Sequence, residues 1–549
     1  MTSLSTLTDR CLGGIERMAE WCASRRGWQR LLAAFFFGAL GVLSLPPVGW
    51  LFTLPISWTG FIWLLDGADR HARPRLTQAL TGWAFGFGYL CLGLYWITAA
   101  LFTDIGKYWW LVPFALTLLP AALALFWAIA ALLAGRLAPA RTLSRFLAIV
   151  IAFSAIEFLR GTILSGFPWN LPGYAFLSVL PVMQGAALIG SYGMTVLAIA
   201  FGGAAACFAY SGQSIRQCCL PFAVTLAIIV ALGAWGQWRL DSHPTTYRKD
   251  VVVRLVQPNI AQENKWEPSQ RRPNLDKLID LSNRLPVVEG ADMPNITIWP
   301  ESAVPYAVAV DEAARQAVSL AAKDDGVLIT GTPHREYEAG DVRYFNSVVG
   351  VDASANITGR YDKVKLVPFG EFLPLRSWLQ PLGLDAIAAG SADFSRGGND
   401  VQPLLPDNMP QPLAMVCYEA IFPGAFLNRV AASDWIVNVT NDAWFGEEGC
   451  PYQHAAHSVL RAVENGIPVL RCGNAGWSGW IDPRGYRRSV LMDESGSIFF
   501  EGASILEMQF SGSREIPRKG YPDFFIWFCI GFTLWTLYRL RKSPVYSSL

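Results

Sequence analysis

The sequence predicts a chain of two parts, a bundle of eight membrane-spanning α-helices and an α/β domain set between the seventh and eighth spans. Three observations predict it. Long apolar runs fill residues 1–240 and recur near the end, while most charge lies between Arg239 and Lys519. Inside that charged stretch, short runs rich in Val and Ile alternate with helical patterns. Of 549 residues, 52% are hydrophobic and only 16% charged, where soluble domains carry about 25% charged residues. The domains expected are a seven-span region over 1–240, a polar domain over 241–519, and an eighth span with a short tail over 520–549. A net charge of +1 argues against nucleic acid as a partner.

Helices of about 20 apolar residues cross about 30 Å of hydrocarbon. Eight runs qualify as candidates: Arg30–Leu45, Val48–Leu65, Leu80–Phe102, Trp109–Ala134, Phe146–Leu164, Val182–Tyr210, Leu220–Trp238 and Phe524–Tyr538. Pro46-Pro47 reads as a tight turn from the first into the second. The number and length of these runs exclude a soluble helical core. The first run lacks a small-residue cleavage site and leads into a second span, so no cleavable signal peptide is expected.

Basic residues mark cytoplasmic loops. Arg10, Arg17, Arg25, Arg26 and Arg30 precede the first span, Arg70, Arg73 and Arg75 follow the second, Arg136, Arg141 and Arg145 follow the fourth, and Arg216 follows the sixth. The tail carries Arg539, Arg541 and Lys542, whereas residues 103–108 hold only Lys107. This alternation predicts cytoplasmic termini and an outward polar domain, which in a bacterial inner membrane is periplasmic.

The polar domain opens with Asp250–Val256. Ile296–Trp299, Val327–Thr332, Asn346–Val351, Leu413–Cys417 and Trp435–Val439 follow as further strands, their continuous apolar character suiting burial on both faces. Glu312–Lys323 and Gln453–Asn465 have amphipathic helical spacing. Such alternation predicts a layered α/β domain. No Gly-rich phosphate loop and no metal-ligand spacing occurs, so neither cofactor nor metal is expected. Of ten cysteines, only Cys417, Cys450 and Cys472 fall in this domain, with Cys450 and Cys472 a candidate pair.

Three apolar runs end close to a reactive group: Glu301 after Trp299-Pro300, Lys363 after Tyr361-Asp362, and Cys417 after Met415-Val416. Layered α/β sheets present their chemistry at strand ends. Any one of the three, alone, reads as a cap or an edge charge. Together they are complementary: a thiol needs a base to become a thiolate, and a cation to hold the oxyanion formed at an attacked carbonyl. Glu301 supplies the base, Lys363 the cation, Cys417 the nucleophile. Lys365 is in the same alternating phase as Lys363 if the segment is extended, so spacing does not choose between them.

These motifs resemble the Glu-Lys-Cys triad of the nitrilase superfamily. The Trp299-Pro300-Glu301 string, the run from Tyr361-Asp362-Lys363 to Pro368-Phe369-Gly370-Glu371, and Asn438–Gly446, with apolar spans on both sides, resemble its membrane-bound branch, the apolipoprotein N-acyltransferase family. The resemblance implies an αββα sandwich and selects Lys363 over Lys365. It also implies roles for Glu371, for Tyr418 and Glu419 beside the nucleophile, and for Trp266 in a substrate-binding loop. The activity it implies is ping-pong acyl transfer through a Cys417 thioester. The donor is a membrane phospholipid, phosphatidylethanolamine, and the acceptor is the N-terminal amine of a diacylated apolipoprotein. A tethered hydrolase, passing the acyl group to water, keeps the same triad; an eight-span transporter would need paired, broken, acidic helices. One departure is the run Cys472–Trp480, where the family pattern after Arg471 is Thr-Asn-x-Gly; Trp477 and Trp480 either shape an acyl pocket or fill a core.

Other residues have plainer readings. Glu419 is an alternative anchor for the turn; Glu371 either pairs Lys363 and keeps it charged or caps a loop; and Trp266 either sits at the membrane interface or over an acyl chain, or packs as an ordinary loop residue. His454 and His457 read as packing or surface residues, and Arg461 with Glu464 as a weak ion pair. Asn346, Asn438 and Asn441 read as pocket or turn positions. Glu157, an acid in an apolar span, calls for a partner, and Arg160 one turn on is the natural one. Trp169–Gly173 reads as a re-entrant or interfacial loop, and 374–397, low in charge, as a lipid-facing flap.

Overall fold

A computed structural model describes residues 2–511 apart from 104, 211–213, 243–244, 285–294, 324–325, 339–340, 384, 388–391, 399–401, 431 and 489. The predicted span Phe524–Tyr538 and the basic tail lie outside the described residues. The described chain packs as two units, one holding residues up to Thr98 and Lys107–Asp241, the other Ala99–Gly106 and the residues from Ser242 on.

In the first unit, helices form at all seven predicted positions: Gly27–Val42, Thr53–Ala68, Pro74–Gly93, Val112–Leu137, Leu143–Thr162, Ala186–Ala204 and Ile215–Ser242. Three stretches, Trp109–Leu137, Ala186–Ala209 and Arg216–Ser242, are long and apolar enough to cross a membrane, and Pro74–Gly93 with Tyr95–Phe102 makes a fourth if that pair, bent by 56°, is one span. Gly27–Val42 and Thr53–Ala68 are each 16 residues, short of a full crossing. Leu143–Thr162 carries Arg145, Glu157 and Arg160.

Close helix approach explains the glycines. A Cβ at Gly38 would lie 1.9 Å from the Phe85 carbonyl oxygen, and one at Gly88 2.0 Å from that of Phe35, so Gly27–Val42 and Pro74–Gly93 pack backbone to backbone. Glu157 and Arg160 do pair, at 2.6 Å, and Trp127 Nε1 donates to Glu157 Oε1 at 2.7 Å. Arg160 also donates to the Trp169 carbonyl at 3.1 Å. The Trp169–Gly173 loop is thus buried against this ion pair.

The second unit is built on two sheets. Its strands are β1 (Thr245–Gln257), β2 (Ile296–Ile298), β3 (Val327–Glu338), β4 (Asp341–Asp352), β5 (Ile357–Asp362), β6 (Pro412–Val416), β7 (Trp435–Thr440), β8 (Val469–Gly473), β9 (Gly479–Ile481), β10 (Arg487–Arg488) and β11 (Gly502–Ser511). One sheet has the order β11-β1-β2-β3-β4-β5 and the other β10-β9-β8-β7-β6. The runs β1-β2-β3 and β6-β7-β8 are parallel.

Alternation along the strands divides the core. Val253, Leu255, Ile298 and Val348 meet Ala414, Val416, Val437 and Val439 between the sheets. Val256, Leu328, Val349 and Val351 face the other way, onto Leu275 and Leu278 of helix Arg271–Asn283 and Val318 of helix Glu312–Ser319. Helix Cys450–Asn465 packs on the second sheet against β8 and β9. The layers are helix, sheet, sheet, helix, as an α/β sandwich requires. The predicted flap is partly structured: Arg376 pairs with Asp393, Phe394 N–H donates to the Glu371 carbonyl at 2.8 Å, and Trp378 is 77% exposed.

Candidate active site

Strand ends deliver the predicted groups. Glu301 follows β2 after Trp299-Pro300, and Cys417 directly follows β6, in the opposite sheet. Lys363 directly follows β5. The Glu301 turn lies on β3 because residue 331 is glycine: a Cβ there would stand 2.5 Å from Ser302 N and 2.7 Å from Glu301 Cα.

The turn brings the carboxylate to Asn346 on β4. Asn346 Nδ2 donates to Glu301 Oε1 and to Glu371 Oε1, each at 2.8 Å. Lys363 Nζ donates to Glu371 Oε1 at 3.0 Å and lies 3.6 Å from Glu301 Oε1. The second oxygen of Glu371 accepts from Val367 N–H at 2.9 Å. All four side chains are buried.

Cys417 stands in the left-handed region at φ +49°. Glu419 ties the turn together. Its Oε1 accepts from Tyr361 OH (2.8 Å), Val364 N–H (2.8 Å) and Lys365 N–H (3.0 Å), and its Oε2 from Val416 N–H (2.8 Å). This is the anchoring carboxylate that the plainer reading described. Behind the turn, His454 Nε2 lies 3.0 Å from the Cys417 carbonyl oxygen and Nδ1 lies 2.9 Å from Asp442 Oδ1. Arg471 donates to Asp442 Oδ2 at 2.5 Å and to Asn438 Oδ1 at 2.7 Å.

A second buried lysine belongs to the site. Lys265 Nζ donates to the Glu301 carbonyl at 3.0 Å. Its loop is held from the other sheet, where Asn474 Nδ2 donates to the Ile260 carbonyl (2.7 Å) and to Asn441 Oδ1 (2.9 Å), and Asn441 Nδ2 donates to Gln262 Oε1 (2.6 Å). Trp266, next along, is 42% exposed.

Charge and burial set the protonation states. Burial pushes the Cys417 thiol up to about 12, Glu301 acting in the same direction and Lys363 against it. Burial opposes the charge of Lys363, but Glu371 and Glu301 outweigh it and hold the ammonium above the ordinary lysine range. Burial brings Lys265 down to about 8, against Glu301 and Cys417. Asp442 is opposed by burial, yet Arg471 and His454 keep its carboxyl below the usual range. The arrangement therefore sets a buried thiol under the influence of Glu301, whose side chain Asn346 engages, and of Lys363, which Glu371 holds charged.

Of the residues expected at the site, the fold brings Glu301, Lys363 and Glu371 into one hydrogen-bonded cluster, and the Cys417 thiol feels the charges of Glu301 and Lys363. Tyr418 is buried with its ring edge-on to Phe422 at 5.1 Å. Lys365 gives its backbone N–H to Glu419 and places its Nζ 5.1 Å above the Phe422 ring. The cysteine pairing and the exposed, weak ion pair differ from expectation, while the histidines and tryptophans each fit one of their readings. His454 and His457 are both buried, and burial together with His454 holds His457 well below the ordinary histidine range. Arg461 and Glu464 form a buried pair at 2.7 Å. Cys450 and Cys472 are free, buried thiols. Trp480 fills the core between the sheets, and Trp477 is buried. Spacing does not pick out Lys265, His454, Asp442 or Arg471 as site residues; the signals near them are the Asn438–Gly446 string, the Lys265-Trp266 pair, the helical run Gln453–Asn465 and the departure after Arg471.

Known proteins resemble the chain along most of its length. A profile of the apolipoprotein N-acyltransferase N-terminal domain matches residues 37–204, and one of the carbon-nitrogen hydrolase family matches 252–508. An apolipoprotein N-acyltransferase of Brucella melitensis is 39% identical over 519 residues, covering 92% of this chain and 94% of the relative. One of Rhizobium rhizogenes is 38% identical over 522 residues, covering 92% and 94%. Among solved structures, Nit3 of Saccharomyces cerevisiae, of the nitrilase superfamily, is similar at a TM-score of 0.36 and 16% identity over 50% of this chain and 96% of that one. With relatives this similar along nearly its whole length, the chain belongs to the apolipoprotein N-acyltransferase family and is an acyltransferase.

Proposed function

We propose that the protein transfers an acyl chain from a membrane phospholipid to the α-amine of a lipoprotein's N-terminal diacylglyceryl-cysteine, through a thioester on Cys417. The observation that carries the reading is the convergence of Glu301, Lys363 and Glu371 through Asn346, beside a thiol that senses the charges of Glu301 and Lys363.

In the first half-reaction Glu301 takes the Cys417 proton, and the thiolate attacks an ester carbonyl carbon of the phospholipid, with phosphatidylethanolamine as donor. Lys363 stabilises the tetrahedral oxyanion. The ester C–O bond breaks, Glu301 returns the proton to the departing alkoxide, and lysophospholipid leaves the thioester behind. In the second half-reaction the acceptor amine attacks the thioester carbon, Glu301 takes a proton from the amine nitrogen, the C–S bond breaks, the amide forms and Glu301 passes that proton to the Cys417 thiolate. Glu371 holds Lys363 in place and charged. Tyr418 borders the site, Glu419 shapes the turn, and Trp266 lies over the acyl chain. Exclusion of water protects the thioester from hydrolysis.

Both substrates are lipids, and the apolar helices keep the site at their bilayer. Eight spans, with cytoplasmic termini and the 241–519 domain in the periplasm, place it at the outer leaflet. The domains follow as 1–240, 241–519 and 520–549. The product tests the reading: incubation with labelled phospholipid and a diacylglyceryl-cysteine peptide should yield N-acylated peptide. Release of free fatty acid with unmodified peptide would instead identify a tethered hydrolase.

A further inference from the structure

The group that fixes the nucleophile's backbone lies outside the triad. Cys417 adopts φ +49°, in a region that is strained for a non-glycine residue. Such a conformation persists only where neighbours impose it. Val416 N–H is held by Glu419 on one side of the residue, at 2.8 Å. On the other side, the Cys417 carbonyl oxygen meets His454 Nε2 at 3.0 Å.

Hydrogen-bond accounting defines what the imidazole does. A carbonyl oxygen only accepts, so Nε2 carries a hydrogen and donates it. Nδ1 faces Asp442 Oδ1 at 2.9 Å. Asp442 is itself fixed by Arg471 at 2.5 Å and by Thr440 Oγ1 at 3.2 Å. His454, Asp442 and Arg471 are all at least 99% buried. With both ring nitrogens engaged away from the thiol, His454 is not placed to take its proton. Its influence on Sγ passes through the backbone of Cys417.

We propose that His454, oriented by Asp442, is a positioning residue for acyl transfer: its Nε2–H holds the Cys417 carbonyl, and with it the left-handed turn that aims the thiol. The proposal rests on Cys417 being the nucleophile. A misplacement of about 1 Å at a reacting atom costs on the order of 10²-fold in rate, which sets the size of the effect.

Two polar variants separate aiming from folding. In His454→Gln the amide nitrogen reaches the place of Nε2 and can still donate to Cys417. In His454→Asn the shorter side chain reaches only the place of Nδ1, toward Asp442. The full-length protein in detergent micelles is assayed for acyl transfer from labelled phosphatidylethanolamine, for alkylation of Cys417 by iodoacetamide, and for thermal midpoint. His454→Asn should lower kcat by about 10²-fold, with KM for phospholipid within twofold. His454→Gln, at a similar midpoint, should stay within tenfold of wild type. Equal activity of the Gln and Asn variants, or wild-type kcat in His454→Asn, would overturn the proposal. Absence of any acyl group on Cys417 in the wild type would instead refute the nucleophile assignment, and with it the proposal's premise; the alkylation rates would still report whether His454 aims the thiol.

Discussion

Lys363 is bound more closely to Glu371 than to Glu301: its Nζ lies 3.0 Å from Glu371 Oε1 and 3.6 Å from Glu301 Oε1. Glu371 thereby takes up most of the cation and leaves Glu301 free to accept a proton. In Glu371→Gln, Lys363 turns to Glu301 as its one remaining carboxylate here and blunts that base. The expected result is a fall in acyl transfer on the order of 10²-fold, with a smaller change in thermal midpoint. Turnover at the wild-type level in this variant would count against the arrangement.

The acidity of Cys417 gives a prediction with opposite signs for two variants. With the thiol raised to about 12 by burial and Glu301, alkylation by iodoacetamide should be slow at pH 7. It should climb about tenfold per pH unit without a plateau below pH 10, because only the thiolate reacts. Removing the carboxylate charge in Glu301→Gln should lower the thiol's pKa and speed alkylation at pH 8 while abolishing acyl transfer. Lys363→Met should slow both. Mass spectrometry of the Cys417 peptide measures each rate.

Lys265 links pH to stability. Its value falls from 10.5 to about 8 in the folded protein, so between those limits the unfolded chain holds the extra proton. Unfolding free energy from this residue therefore rises with pH across the window, by roughly 3 kcal/mol in all, and the penalty is fully present below pH 8. In Lys265→Met this rise should vanish and stability at pH 7 should increase, as chemical denaturation at pH 7, 8, 9 and 10 can show. Parallel curves for variant and wild type would contradict it.

Glu419 should behave as a structural residue. Glu419→Ala strands the N–H groups of Val364, Lys365 and Val416 together with Tyr361 OH, each buried group costing about 1–3 kcal/mol. The variant should lose at least about 3 kcal/mol of stability, read as a large drop in thermal midpoint. A stable, folded Glu419→Ala protein that fails only in catalysis would place Glu419 in the chemistry instead.

What was legible in the sequence was local. Glu301 and Cys417 each stand close behind a strand whose apolar run is visible in one dimension, and strands buried on both faces announce themselves by continuous Val and Ile; Lys363 follows the half-buried β5, whose sequence Ile-Thr-Gly-Arg-Tyr-Asp carries no such run. Lys265 was not legible as a site residue, because a lysine in a polar stretch reads as solvated. It is buried only because Asn441 and Asn474, far along the chain, fold its loop over Glu301. His454 reaches Cys417 across 37 residues, and its helical spacing carries no trace of that contact. Strand β11 is paired to β1 from the opposite end of the domain, and nothing local marks the pairing. The span count met a different obstacle: Gly27–Val42 and Thr53–Ala68 are largely apolar but short and carry Arg30 and Asp66, which sets them apart from the three stretches that, among the described residues, are long and apolar enough to cross.

Acyl transfer through Cys417 is tested most directly by the mass of the Cys417 peptide after incubation of the full-length protein with phosphatidylethanolamine. The expected result is one fatty acyl group on Cys417, removed on chase with a diacylglyceryl-cysteine peptide that gains the same mass as an amide, and absent in Cys417→Ala. No adduct on Cys417 while the acceptor is still acylated, or an adduct that survives the chase, would contradict it.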